Sequence, residues 1–338
     1  MVAPMGAPPY LIARIEGRLG HLTLDRPERI NALGPEMIAG ISATLDRWAQ
    51  DPAIELVLVD GAGARGLCAG GDIKDAYLAL TRGPDSAAYW SDEYQMNARV
   101  AHFPKPYVAF MDGITMGGGV GISGHGSVRI VTERSSIAMP ETAIGLVPDV
   151  GALYLLARSP GEFGTHVALT GARLDAAQAI HAGLADLLVP AAALPALAVS
   201  LRDGVSALDA LPAVEPALVE HAWIDECYRG DNVHEIVARL EDHDHPDAQR
   251  AAGTIRAMAP TAVMATLRAI RNAVTMTVDE VLDQDLRVCS RLMLEPDFAE
   301  GVRAQVIDKD RNPRWQPDDL DKVDLDLVDR LFDPLATD

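Results

Sequence analysis

Short apolar runs alternate with helix-period segments over the first 190 or so residues. Residues 10–15 and 21–24 read as two strands joined through the glycine-bounded turn 17–20. Over 35–48, Met37, Ile38, Ile41, Leu45 and Trp48 recur at helical spacing, and Pro35 suits a first helical position. Three runs of buried-strand character follow, at 55–60 (ELVLVD), 106–111 (PYVAFM) and 128–132 (VRIVT), each closed by glycine or polar residues. Strands separated by helices predict a largely parallel sheet. Beyond residue 190 the β signal fades. Segments 261–274 and 278–294 are amphipathic at helical period, interrupted upstream by 211–216 (LPAVEP) and 241–247 (EDHDHPD). The pattern predicts an α/β core over 1–200 and a helical C-terminal region over 201–338.

The chain has 338 residues, of which 49% are apolar and 23% charged, within the range of ordinary globular proteins. Aromatic residues make up only 5%, so aliphatic side chains and alanine must fill the interior. A formal charge of −20 speaks against a nucleic-acid partner and against an anionic membrane surface, since both need a positive footprint. Cys68, Cys227 and Cys289 are odd in number and far apart, which suggests neither a disulfide framework nor a zinc site and fits a reducing cytoplasm. Residues 1–17 carry no leader pattern, and no apolar run is long enough to span a bilayer.

Several motifs have plain structural explanations. Residues 61–66 (GAGARG) spell a dinucleotide-binding fingerprint after a strand, but 67–71 (LCAGG) keep the backbone irregular where a helix should open. Ser123 in 121–125 (GISGH) lacks the last glycine of a nucleophile elbow and fits a packed helix; His125 fits a core or subunit-interface position. The run 242–245 (DHDH) reads as a solvated turn, because adjacent side chains point in different directions, and no metal site is expected.

Two glycine clusters at strand exits, 68–72 (CAGGD) and 116–121 (MGGGVG), invite a chemical reading. Each can present a main-chain N–H to one carbonyl oxygen with no side chain in the way, the arrangement of an oxyanion hole. Tight turns and close packing are the structural alternative. In 139–151 (MPETAIGLVPDVG), Glu141 and Asp149 are the only charges, and carboxylates among apolar neighbours are candidates for functional sites. An N-capping glutamate and a turn aspartate are the alternative there.

At these segments the chain resembles the crotonase (enoyl-CoA hydratase/isomerase) superfamily, beginning with the CoA-binding opening 22–33 (LTLDRPERINAL). More narrowly, 113–121, 140–151 and the tail 297–315 are similar to the 3-hydroxyisobutyryl-CoA hydrolase group of that superfamily. The resemblance implies a crotonase-like spiral of β-β-α units with a helical C-terminal region. It implies thioester-oxygen donors at Gly71 and Gly118, a catalytic glutamate at Glu141 and a paired acid at Asp149. Glu93 matches a substrate-contacting glutamate, Gly70 and Asp72 flank the first donor, and Arg26 and Arg29 are candidates for the CoA phosphates. Hydratases of the superfamily carry a second glutamate three residues after the oxyanion glycine, where this chain has Gly121. The implied reaction is hydrolysis of a short branched 3-hydroxyacyl-CoA, as in valine breakdown, with Glu141 acting as general base or nucleophile. CoA enters only as part of the substrate, no metal or redox cofactor is needed, and a homo-oligomer is expected. A crotonase-type isomerase and a catalytically silent scaffold are the alternatives.

Overall fold

The first two apolar runs pair antiparallel as β1 (Leu11–Glu16) and β2 (Leu19–Leu24), with Ala13 opposite Leu22. Every residue of β2 is buried, because β3 (Leu56–Gly61) lies parallel along its other side with Leu22 opposite Val59. The sheet continues in chain order through β4 (Tyr107–Met111), β5 (Val128–Val131) and the short β6 (Leu187–Leu188), all parallel. Parallel neighbours require crossover connections, and strands buried on both faces read as continuous apolar runs, which is why β3 and β4 were legible. The computed structural model describes residues 10–80, 86–211 and 213–335, without the side chains of 79, 80 and 86–89. Residues 1–9, half of the segment read for a leader, lie outside the described residues, as does position 212 in 211–216.

Contacts divide the chain into two compact units that are not split at one point in sequence. The first comprises Met1–Asp72, Asp92–Ile137 and Leu174–Leu218; the second comprises Ile73–Ser91, Ala138–Arg173 and Val219–Asp338. Segment Ala138–Arg173, grouped with the α/β core in the sequence reading, thus packs with the C-terminal helices. Its apolar face is completed by helices far downstream, which local pattern cannot reveal.

The first unit holds the sheet and α1 (Pro35–Gln50), whose buried face is the expected set Met37, Ile38, Ile41, Leu45 and Trp48. The Trp48 indole lies over Gly20, where a Cβ would sit 2.7 Å from Cε3; only a glycine in β2 lets the ring approach. Helix α2 (Ser86–Ala101) had no clear signal in sequence, since the face of its Asp92–Ala101 part buries Glu93 and Asn97 beside Met96 and Val100. Two polar residues on a buried face blur the apolar period. The glycine run after β4 does open a helix, α3 (Gly118–Ser123), and the Ser123 hydroxyl donates to Gly119 O at 2.6 Å, as the packed-helix reading expects.

The second unit is built from helices, among them α4 (Phe163–Thr170), α5 (Val233–Asp242), α6 (Pro246–Ala257), α7 (Pro260–Ala273), α8 (Val278–Leu292) and α9 (Pro296–Val302). The acidic run 241–247 is the α5–α6 joint: His245 Nδ1 accepts the Asp247 N–H at 3.2 Å, capping α6. No metal-ligating cluster occurs among the described residues. Helix α8 starts at a capping box of Thr277 and Glu280. Its buried Gln284 accepts from Asn272 at 2.9 Å and donates to Ala269 O at 3.2 Å, which fixes α8 against α7.

Candidate active site

In the first unit the candidate residues offer mainly backbone. Beyond β3 the chain turns through residues 62–72, and Asn31 latches that loop. Held in a left-handed conformation (φ +55°) and fully buried, Asn31 donates to the carbonyls of Ala62, Gly66 and Leu67 at 3.0–3.2 Å and accepts the Arg26 N–H at 2.9 Å. Asparagine tolerates this backbone region and supplies both donor and acceptor. Met116 N–H donates to Cys68 O at 2.9 Å and so lays the loop beside the strand exit. Bonds from Leu33 N–H to Gly70 O and from Asp72 N–H to Leu33 O then fix the loop on either side of Gly71, at 2.9 and 2.7 Å.

These bonds bring the two glycine clusters together. At Gly70 (φ +107°) a Cβ would lie 3.7 Å from Gly118 N, and at Gly118 a Cβ would lie 3.3 Å from Gly71 N and overlap the Glu93 carboxylate. A side chain at either strand exit would crowd the other, and the Gly71 amide finds no acceptor among the described residues. Beneath them, Cys68 Sγ accepts the Gly70 N–H at 3.4 Å, and burial pushes its thiol up to about 12, so it is a neutral packing group. All three cysteines are free. Glu93 is 1% exposed. Asp72 pairs with Arg26 at 2.9 Å, both largely buried, while Arg29 is exposed with no ion pair among the described residues. Of the two arginines proposed for CoA phosphates, Arg26 already spends its charge inside the protein.

In the second unit the candidate residues are carboxylates. Glu141 opens a 3₁₀ turn (Glu141–Ile144) that Gly145 ends in a left-handed conformation, with Leu146 N–H closing onto Glu141 O at 3.0 Å. Helix α9 clamps this turn backbone to backbone: a Cβ on Gly301 would stand 2.5 Å from Ile144 Cα, and one on Gly145 would stand 2.8 Å from Phe298 N. Ala259 N–H adds a bond to Thr142 O at 3.1 Å. The turn is therefore rigid, and Glu141 is buried within it. Asp149, also buried, starts a second turn closed by Ala152 N–H at 2.9 Å.

Two buried acids here carried no sequence signal. Asp285, on α8, accepts the Gly151 N–H at 2.8 Å; burial and then the neighbouring Asp149 raise its carboxyl well above the usual carboxylate range. Asp297, on α9, accepts the Gln316 N–H at 2.6 Å, and burial raises it to about 6. Each stands in an amphipathic helix and reads locally as one more surface charge.

The enoyl-CoA hydratase/isomerase family model matches residues 19–332. The chain is 40% identical to a mitochondrial 3-hydroxyisobutyryl-CoA hydrolase of Rattus norvegicus, over 95% of this chain and 88% of that one. It is 36% identical to 3-hydroxyisobutyryl-CoA hydrolase 1 of Arabidopsis thaliana, over 98% and 94%. Among solved structures it is similar to a carnitinyl-CoA dehydratase from Mycobacterium thermoresistibile, with TM-score 0.92 and 42% identity over 97% of both chains. An enoyl-CoA hydratase from Rhodobacter sphaeroides gives TM-score 0.91 and 43% identity over 96% of this chain and 98% of that one. Matched by that family model over 19–332 and related at 36–40% identity over nearly its full length, the chain belongs to the enoyl-CoA hydratase/isomerase family.

Proposed function

We propose that the protein hydrolyses a short branched 3-hydroxyacyl-CoA thioester, 3-hydroxyisobutyryl-CoA, to the free acid and CoA. The near full-length similarity to hydrolases of that name carries this reading. The names of the similar solved structures point instead to hydration or dehydration. Against that stands Gly121, buried in α3, where such chemistry would call for a second glutamate. A buried glycine can neither deliver nor remove a proton.

As the thioester carbonyl becomes tetrahedral, its oxygen gains charge. Main-chain N–H groups of Gly71 and Gly118 stabilise that charge more than they stabilise the substrate, which is the condition for lowering the barrier. Glu141 activates the attacking water as a general base or attacks the carbonyl itself. Asp149 orients water or the 3-hydroxyl. Glu93, an acidic group beside the oxyanion donors, would oppose an anion there but suits a substrate hydroxyl, to which it offers an acceptor. Arg29, exposed at the end of the Pro27–Arg29 turn, would face the CoA portion, while Arg26 neutralises Asp72, next to Gly70 on the 62–72 loop. The strongly acidic chain makes such local cations necessary.

A panel of acyl-CoA esters assayed for free thiol tests the reading. Release of thiol from 3-hydroxyisobutyryl-CoA is expected, with Glu141→Gln lowering kcat by roughly 10²–10⁴-fold. Water addition to enoyl-CoA without thiol release would assign the chain to the hydratases instead.

A further inference from the structure

The turn that carries Asp149 has an unusual backbone. Both central residues are left-handed, Val150 at φ +54° and Gly151 at φ +74°, ψ +7°, which is the pattern of a type I′ turn. Glycine adopts this region freely. A β-branched residue rarely does, and it stays there only where surrounding contacts overdetermine it. Val150 is fully buried, so its packing supplies part of that constraint.

A polar constraint comes from α8. Asp285 is 0% exposed, its Oδ2 accepts the Gly151 N–H at 2.8 Å, and its Oδ1 is buried with no hydrogen-bond partner among the described residues. Burying a carboxyl whole to satisfy one amide is costly unless the group is neutral or the bond secures something else. The preceding residue, Gln284, locks α8 against α7 through two side-chain bonds, so Asp285 is delivered to the turn from a fixed support. Gly151 is two residues from Asp149, and the turn has no freedom to move one without the other.

We infer that Asp285 is a positioning residue for Asp149: by holding the Gly151 amide it fixes the left-handed Val150–Gly151 turn and with it the direction of the Asp149 carboxylate. A proton retained on Asp285, as its raised carboxyl favours, spares the pair a charge repulsion. The inference rests on the reading that Asp149 serves thioester hydrolysis.

Two variants of the full chain separate the turn's anchor from general stability. Asp285→Ala removes the acceptor; Asp285→Asn keeps an oxygen for the Gly151 N–H. With 3-hydroxyisobutyryl-CoA, Asp285→Ala is expected to lower kcat about 100-fold, the scale of a misplacement near 1 Å, with KM changed less than about threefold. Asp285→Asn should keep at least roughly a third of kcat by restoring the anchor. Hydrogen exchange of the peptide spanning 149–152, measured without substrate, should be faster in Asp285→Ala and near wild type in Asp285→Asn. A fall in kcat below about tenfold in a folded Asp285→Ala overturns the inference, as does an Asp285→Asn enzyme that is equally impaired while its turn exchanges normally. Should Asp285→Ala fail to fold, Asp285→Asn decides alone by those same two readouts. If the wild-type protein releases no thiol, the hydrolase reading fails, while the exchange data still judge the anchor.

Discussion

The two units hold opposite kinds of candidate group for the proposed hydrolysis. In the first, the candidate is backbone: glycines whose missing side chains let two loops approach, held by Asn31 and by main-chain bonds around Leu33. In the second it is buried carboxyls, Glu141 and Asp149, held in turns by α8 and α9. Backbone amides carry no charge to desolvate, so their cost is steric. Buried acids must be satisfied electrostatically, and their cost depends on pH. The first unit should therefore be sensitive to added volume and the second to protons.

Adding volume gives the largest expected effect. In Gly118→Ala the new Cβ overlaps the Glu93 carboxylate and crowds the Gly71 amide at 3.3 Å, so donor geometry is lost. A fall in kcat on the order of 10²–10³-fold is expected, equal to losing one oxyanion donor, while melting shifts little because Glu93 can swing aside at the end of its side chain. Thiol-release kinetics alongside a thermal melt check this; wild-type kcat in the alanine variant would break the backbone half of the comparison. Next comes Asn31→Asp, which replaces an amide donor facing three carbonyl oxygens with a carboxylate that cannot donate unless protonated. A loss of roughly 2–4 kcal/mol is expected, measured by denaturant unfolding, with the loop 62–72 the first segment to gain hydrogen exchange.

The same contrast explains what was readable in sequence. Strands β3 and β4 were visible because burial on both faces leaves uninterrupted apolar runs, and α1 because one apolar stripe recurs at 3.6 residues. The two glycine clusters were visible because clustered glycine is chemically conspicuous, while the family resemblance singled out Gly71 and Gly118 within them. Glu141 and Asp149 stood out as isolated charges in an apolar segment, and the family resemblance gave them their implied roles. Asp285 and Asp297 were invisible: their burial is imposed by turns more than a hundred residues away in sequence, and a helix with acids all round gives no hint of which one faces inward. Helix α2 failed for a related reason, since Glu93 and Asn97 occupy positions an apolar stripe would fill. The grouping of 138–173 with the C-terminal helices is likewise a product of packing, not of local pattern.

Protons test the second half of the comparison. His166, on α4, is hydrogen-bonded through Nδ1 to the Tyr228 hydroxyl at 2.8 Å, and burial lowers its pKa to about 4. The fold thus prefers the neutral ring, so the unfolded chain binds the extra proton between its ordinary value near 6.5 and about 4. Stability is lost as pH falls through that window, by at most roughly 3 kcal/mol from this group. Trp223, whose ring lies 5.2 Å from His166, reports the change by fluorescence. Hydrogen exchange near pH 4.5 should open helices of the second unit before the sheet of the first. Equal opening of both units would remove the distinction.

Asp297 acts in the opposite direction and gives the smallest effect. Its carboxyl is raised by burial from 3.8 to about 6, so here the folded state holds the proton more tightly than the unfolded chain. Between those values stability falls as pH rises, because ionising Asp297 beneath the Glu141 turn costs more in the fold than in water. Asp297→Asn keeps an oxygen for the Gln316 N–H and removes the charge. At pH 8 the variant should be more stable than wild type by about 1–2 kcal/mol, within the ceiling of roughly 3 kcal/mol that the full shift sets. At pH 4 the advantage should vanish, since wild-type Asp297 is then protonated in the fold. Denaturant midpoints at the two pH values read the difference directly. An advantage that persists at pH 4 would mean that the asparagine improves packing, and the cost of burying charge in the second unit would have to be sought at its other buried acids, Glu141 and Asp149.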